Sequence, residues 1–104
     1  MTVSEIANRL NGCVVVDAGK DACAFYAGDF LSRVMGKAPE KCCWLTVMNN
    51  VNVAGVATLA DVSVVVLCEG VTPDERLKEK CAQENVSLVL TNLDVFTAAV
   101  ALAK

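Results

Sequence analysis

From residue 43 onward the chain alternates short apolar runs with stretches of helical periodicity, and this alternation limits the possible folds more than any other feature. Cys43-Trp44-Leu45-Thr46-Val47, Ser63 to Cys68 and Val86 to Leu90 are rich in β-branched and apolar residues and bounded by turn formers, as strands covered on both faces are. Between the first two lies a segment from about Val51 to Ala60, capped by Asn49 or Asn50. It is almost wholly apolar, which predicts a helix buried on most sides. Thr72, Pro73 and Glu75 form a capping-box pattern that predicts the next helix, with Leu77, Cys81 and Ala82 facing inward and Lys78, Glu79 and Lys80 toward water. Thr91 or Asn92 is expected to open a terminal helix bearing Val95, Phe96, Ala99, Val100 and Leu102. Helical crossovers between successive strands require the strands to run parallel, with right-handed connections. The expected class is α/β: a three-layer domain with a mostly parallel central sheet flanked by helices, in a single domain over residues 1–104.

The N-terminal third is less regular. Thr2 and Glu5 fit a capping box, and Val3, Ile6, Ala7 and Leu10 then mark one helical face that Asn11-Gly12 terminates. Cys13-Val14-Val15-Val16 reads as a short buried strand, residues 17–21 as a loop, and Ala22 to Tyr26 as a further strand. Gly28-Asp29 is expected to start a helix carrying Phe30, Leu31, Val34 and Met35, with Asp29 as its cap and Gly36 and Pro39 at its end.

Composition narrows the function by exclusion. The chain is 55% hydrophobic but only 5% aromatic, so the surplus is Val, Ala, Leu and Cys, residues that fill two-sided strands or a subunit interface. A net charge of −3 with no basic run disfavours a nucleic-acid partner. No apolar stretch approaches the ~20 residues of a membrane span, and the first residues lack the features of a secretory leader, so a cytoplasmic location is expected. With no histidine, neither a Ser–His nor a Cys–His pair can form, and no catalytic residue is assigned. Gly19-Lys20 is not a phosphate loop, because Val14 stands at the first glycine position and Asp21 at the Ser/Thr position. Cys13, Cys23, Cys42, Cys43, Cys68 and Cys81 contain no C-x-x-C pair and read as reduced thiols used as small apolar residues; no metal or cofactor is expected.

Ligands of open parallel sheets bind beyond the carboxyl ends of the strands. The residues expected there are Tyr26, Gly28, Asp29, Thr46, Asn49, Asn50, Asn52, Glu69 and Gly70, with Thr72, Thr91 and Asn92 on the same rim. Each group precedes a helix N-terminus, where free N–H groups and the dipole favour an anion such as a nucleotide phosphate. Thr, Asn and Asp are also what N-caps require, so capping and binding both remain open for each residue.

Residues 26–32 (YAGDFLS) with Val34-Met35-Gly36, residues 50–54 (NVNVA) with residues 57–62 (ATLADV), and Glu69-Gly70 with Pro73-Asp74-Glu75 resemble the DRTGG-domain family, over nearly the whole chain. The naming motif falls at Asp21-Ala22-Cys23-Ala24-Phe25 and keeps only the aspartate. Its missing arginine removes an anion fork and its missing glycines remove backbone freedom. The resemblance implies a fold related to the N-terminal domain of HPr kinase/phosphorylase, a regulatory setting like that of CBS-containing pyrophosphatases, and association as homodimers. It also implies, for small stand-alone members, a link with anaerobic iron-hydrogenase systems. The expected function is a non-catalytic regulatory or sensor module, homodimeric, that binds a small anion such as a nucleotide at the carboxyl edge. The alternative is a protein-interaction scaffold without a small ligand, associated with an iron-hydrogenase system.

Overall fold

The capping box at the N-terminus forms as the sequence predicts: Thr2 Oγ1 accepts the Glu5 N–H at 3.1 Å, and Glu5 Oε1 accepts the Thr2 N–H at 3.0 Å. It opens α1 (Val3–Leu10), whose Val3, Ile6, Ala7 and Leu10 are buried and which Asn11 ends in the left-handed conformation. In this computed structural model, which describes residues 1–104, the chain continues through β1 (Cys13–Val16), β2 (Ala24–Ala27), α2 (Leu31–Lys37), β3 (Cys42–Thr46) and α3 (Asn52–Leu59). It then forms β4 (Val64–Leu67), α4 (Glu75–Gln83), β5 (Ser87–Leu90) and α5 (Val95–Ala103).

The five strands make one sheet in the order β1-β5-β4-β3-β2. The four strands β2 to β5 are parallel and β1 runs antiparallel to β5. Alternation along each strand sends side chains to two cores. Cys43, Leu45, Val64, Val66, Cys68 and Val89 pack against α1 and α5, while Cys42, Trp44, Val65, Leu67 and Leu88 pack against residues of α2, α3 and α4. The architecture is thus a three-layer α/β sandwich, with every residue of β3 and β4 buried.

Several local expectations are corrected. The strand at Cys13–Val16 is not buried: it is an edge strand with one neighbour and a register shift between Val14 and Val16, and its first two residues are exposed. A valine run reads alike at the centre and the edge of a sheet, because periodicity does not count neighbours. Helix α3 covers the sheet on one side only, through Val53, Ala54 and Ala57, and leaves Leu59 74% exposed. Helix α4 starts two residues later than the Thr72 box implies, with Asp74 Oδ1 accepting the Arg76 N–H at 3.1 Å, and Ala82 is exposed. Helix α5 is capped by Asp94, which takes both the N–H and the hydroxyl of Thr97, and not by Thr91 or Asn92. Nor does Asp29 cap α2, whose N-cap position is Phe30.

Candidate functional site

The helices after β2, β3 and β4 all lie on one face of the sheet, whereas α5, after β5, lies on the other. Loops leaving adjacent parallel strands toward opposite faces must part, and the gap between them is the crevice in which such sheets take ligands. Here the switch point falls between β4 and β5, whose loops stay joined at their bases by the Glu69 N–H to the Leu93 carbonyl at 2.8 Å and the Gly70 N–H to the Thr91 carbonyl at 3.0 Å. An open cleft of about 370 Å³ lies there. Gly70, Val71, Thr72 and Pro73 line it from the β4–α4 loop, Leu90, Thr91 and Asn92 from the end of β5, and Asn11, Gly12 and Cys13 from the turn that brings β1 alongside.

The floor of the cleft needs glycine. A Cβ on Gly12 would stand 2.6 Å from the Leu90 carbonyl oxygen, closer than any side chain tolerates. Gly70 has a φ of +69°, and a Cβ there would meet Asn92 Oδ1 at 3.0 Å. Thr91 is buried and donates its hydroxyl to the Leu10 carbonyl at 2.9 Å, joining the α1 terminus to the end of β5. The lining carries no charged side chain: its polar groups are the Asn11 and Asn92 amides, the Thr72 hydroxyl and main-chain groups, and Val71, Pro73 and Leu90 add apolar surface. The N–H groups of Thr72 and Asn92 make no hydrogen bond within the protein, so two donors at the mouth of the loops are free for an acceptor.

The other half of the carboxyl edge, over β2 and β3, is closed. Asp29 Oδ1 accepts the Thr46 hydroxyl at 2.7 Å and the Val47 N–H at 2.9 Å. Trp44, fully buried, donates its indole N–H to the Gly28 carbonyl at 2.8 Å, and the Tyr26 ring covers Gly28. Asn49 Nδ2 donates to the Thr72 carbonyl at 2.8 Å, and Asn50 Oδ1 accepts the N–H of Asn52 at the start of α3. Of the nine residues expected at the site, the structure brings Gly70 to the cleft wall with Glu69 beside it. Tyr26, Gly28, Asp29, Thr46, Asn49, Asn50 and Asn52 lie on the same edge but outside the lining. Asn11, Gly12, Cys13, Val71, Pro73 and Leu90 were missed. The Asn11-Gly12 pair is a visible turn signal, but nothing local shows that the following strand returns antiparallel to β5.

Burial pushes the thiols of Cys42, Cys68 and Cys81 up to about 11 and that of Cys43 to about 12. This is opposite to the direction a nucleophilic cysteine requires. Cys13 and Cys23 are the two exposed thiols, and no group of three or more His, Cys, Asp or Glu side chains is placed to hold a metal.

The DRTGG domain profile matches residues 5–104. The chain belongs to the DRTGG domain family. Among curated proteins no sequence match is found. A solved structure of the CBS and DRTGG domains of the regulatory region of Clostridium perfringens pyrophosphatase, complexed with the activator diadenosine tetraphosphate, is similar in fold. It has a TM-score of 0.80 and 16% identity, over 97% of this chain and 45% of that one. The chain therefore spans less than half of that neighbour's length. In this DRTGG domain the position of the naming motif, Asp21 to Phe25, leads into β2 at the amino edge of the sheet, opposite the cleft. It is anchored there by the Ala22 N–H to the Met1 carbonyl and the Cys23 N–H to the Lys41 carbonyl. No helix of the chain is long and apolar enough to cross a membrane.

Proposed function

We propose that this DRTGG domain is a non-catalytic regulatory module, acting as one unit over residues 1–104, that senses a small ligand in the cleft between the β4–α4 and β5–α5 loops. The observation that carries the reading is the switch point between β4 and β5, whose following helices pack on opposite faces of the sheet, with an open 370 Å³ crevice beside it that has a glycine floor and no charged side chain. That volume is at the low end of small-molecule sites. Amide and hydroxyl groups suit the edges of a base or ribose, and the free N–H groups of Thr72 and Asn92 suit a phosphate oxygen. Membership of the family, and a fold neighbour crystallised with a nucleotide activator, support a nucleotide over other small anions. Glu69, Gly70 and Asn49 shape the loops around such a ligand. Residues 26–29 and Thr46 hold the adjoining half of the edge rigid, and Asn50 and Asn52 fix the start of α3. The absence of histidine and the upward-shifted buried thiols leave no evident general base or nucleophile, and free thiols suit a reducing cytoplasm.

A thermal-shift and calorimetry screen of mono- and dinucleotides tests this. A ligand at a hundred times its dissociation constant stabilises the fold by about 2.7 kcal/mol. Asn92→Ala is expected to abolish that shift and Asp29→Ala to leave it intact. No stabilisation by any nucleotide at millimolar concentration removes the nucleotide reading.

A second observation favours association with a protein. Phe25 (43% exposed), Leu45, Ala99, Leu102 and Ala103 line a small apolar pocket of about 90 Å³ where β2 forms the edge of the sheet without a charged residue or a proline, and Phe96 (78% exposed) and Val100 are exposed on α5, the helix that forms its other side. This flank suits a second copy of the chain or, as the family resemblance implies, a component of an iron-hydrogenase system. Analytical ultracentrifugation distinguishes the two: a homodimer that Phe96→Asp dissociates supports the first. A strict monomer at high concentration removes it, and capture of a hydrogenase component on the same flank supports the second.

A further inference from the structure

At the opposite, amino edge of the sheet a second cleft of about 380 Å³ is lined by Lys20, Asp21, Cys23, Lys41, Asp61 and Ser63. These residues come from the loop before β2, the α2–β3 turn and the α3–β4 turn. The cleft is separate from the crevice described above and shares no residue with it. Two properties decide what it can hold. First, it gathers two positive and two negative side chains, all exposed and none engaged in either ion pair of the molecule, Lys78–Glu75 or Lys80–Glu84. Second, Ser63 is only 3% exposed, and its N–H and C=O are bonded to Cys42 and Ser87, yet its hydroxyl makes no hydrogen bond to any protein group. The hydroxyl is not sealed in the core, since no buried side-chain polar atom lacks a partner; it opens onto the cleft, where a ligand can reach it.

We propose that this cleft binds a small zwitterion of the α-amino-acid type. Its carboxylate is held by Lys20 and Lys41, its ammonium by Asp21 and Asp61, and the Ser63 hydroxyl bonds to its polar end. A simple oxoanion fits poorly, because two carboxylates share the walls with the two ammonium groups. A simple cation fails for the converse reason. A compact molecule carrying both charges satisfies all four groups and leaves the cleft neutral. Asp21 is the aspartate that the altered family motif keeps and Lys20 precedes it, so Lys20 and, across the cleft, Lys41 supply positive charge where the motif has lost its arginine.

Cys23 makes the proposal measurable. Its exposed thiol lines this cleft, whereas Cys13, the other exposed thiol, lines the cleft at the carboxyl edge, and the four remaining thiols are buried. The experiment follows alkylation of the intact protein by iodoacetamide, site by site, with glycine, L-alanine or L-serine present at millimolar concentration. Acetate and ethylamine serve as single-charge controls. An amino acid at ten times its dissociation constant is expected to slow Cys23 about tenfold and leave Cys13 unchanged. Lys41→Gln and Ser63→Ala are each expected to raise the dissociation constant roughly tenfold, which leaves about twofold protection at the same amino-acid concentration. Unchanged Cys23 kinetics with all three amino acids overturns the proposal, as does equal protection by acetate or ethylamine, or equal slowing of both thiols. Circular dichroism of each variant confirms that the fold is retained, so a lost effect reports the site. Because the nucleotide reading concerns the other edge, either can fail without the other.

Discussion

Over β2 and β3 the carboxyl edge is knitted shut. The Asp29 carboxylate, the Trp44 indole, the Thr46 hydroxyl and the Asn49 amide each find a partner within the protein. Over β4, β5 and β1 the same kinds of residue stand around a gap, and two main-chain donors have no partner. Residue type does not separate the halves, since both carry Thr, Asn and Gly at strand ends. Topology does. Loops that leave for the same face lie side by side and bond to one another, as Asn49 does to Thr72 and Asp74. The β4–α4 and β5–α5 loops, bound for opposite faces, are joined only at their bases, where Glu69 and Gly70 donate their N–H groups to the Leu93 and Thr91 carbonyls, and the open cleft lies beyond those bonds. A polar strand end is therefore a site candidate only where the connections part, and it is otherwise a clasp.

The largest expected effect falls on what both halves share, the buried thiols beneath them. In the folded protein these titrate near 11 to 12, above the ordinary 9. A raised acid favours the folded state fully below the unfolded value, and that contribution is lost as pH rises through the folded value. Thermal stability is thus expected to hold from pH 6 to 8 and fall steeply from pH 9 to 11, with a smaller fall in Cys43→Val. An identical alkaline profile for that variant would show that the thiols do not govern it.

Next comes the closed half. Trp44→Ala removes a fully buried indole and its bond to Gly28, and is expected to cost about 3–5 kcal/mol in urea unfolding. A loss below about 1 kcal/mol would mean that the clasp over β2 and β3 is not rigid. Gly12→Ala tests the floor of the open half. The added Cβ meets backbone at 2.6 Å, so about 1–3 kcal/mol is expected, together with a cleft that no longer accepts ligand. A variant as stable as wild type would show that the β1 turn can move away from β5.

The sequence carried the layers well and the edge poorly. The parallel order from residue 43 was legible because each strand is short, apolar and followed by a helix-length segment, a pattern with few other solutions. The Thr2–Glu5 box was legible because both partners are four residues or fewer apart. Asp29 was not: its partners Thr46 and Val47 are 17 and 18 residues away, and a helix cap was the nearest use for an aspartate there. Thr72 and Thr91 were assigned to helix starts that Asp74 and Asp94 provide two or three residues later. That displacement is what made room for the loop residues of the cleft. The position of β1 depends on a long-range antiparallel pairing, which no local pattern encodes, and with it went Asn11, Gly12 and Cys13 of the lining.

Asp29→Ala and Asn92→Ala separate clasp from site most finely. Removing the Asp29 carboxylate leaves the buried Thr46 hydroxyl and the Val47 N–H without their acceptor, and about 1–2 kcal/mol is expected, reduced from a fully buried case because Asp29 itself is exposed. Asn92 is exposed and its side chain makes no hydrogen bond within the protein, so its loss is expected to change stability by less than about 0.5 kcal/mol. Ligand response should run the other way, retained in Asp29→Ala and lost in Asn92→Ala. If instead Asn92→Ala destabilises as much as Asp29→Ala, the open half is held by contacts like those of the closed half, and the distinction drawn from loop direction fails.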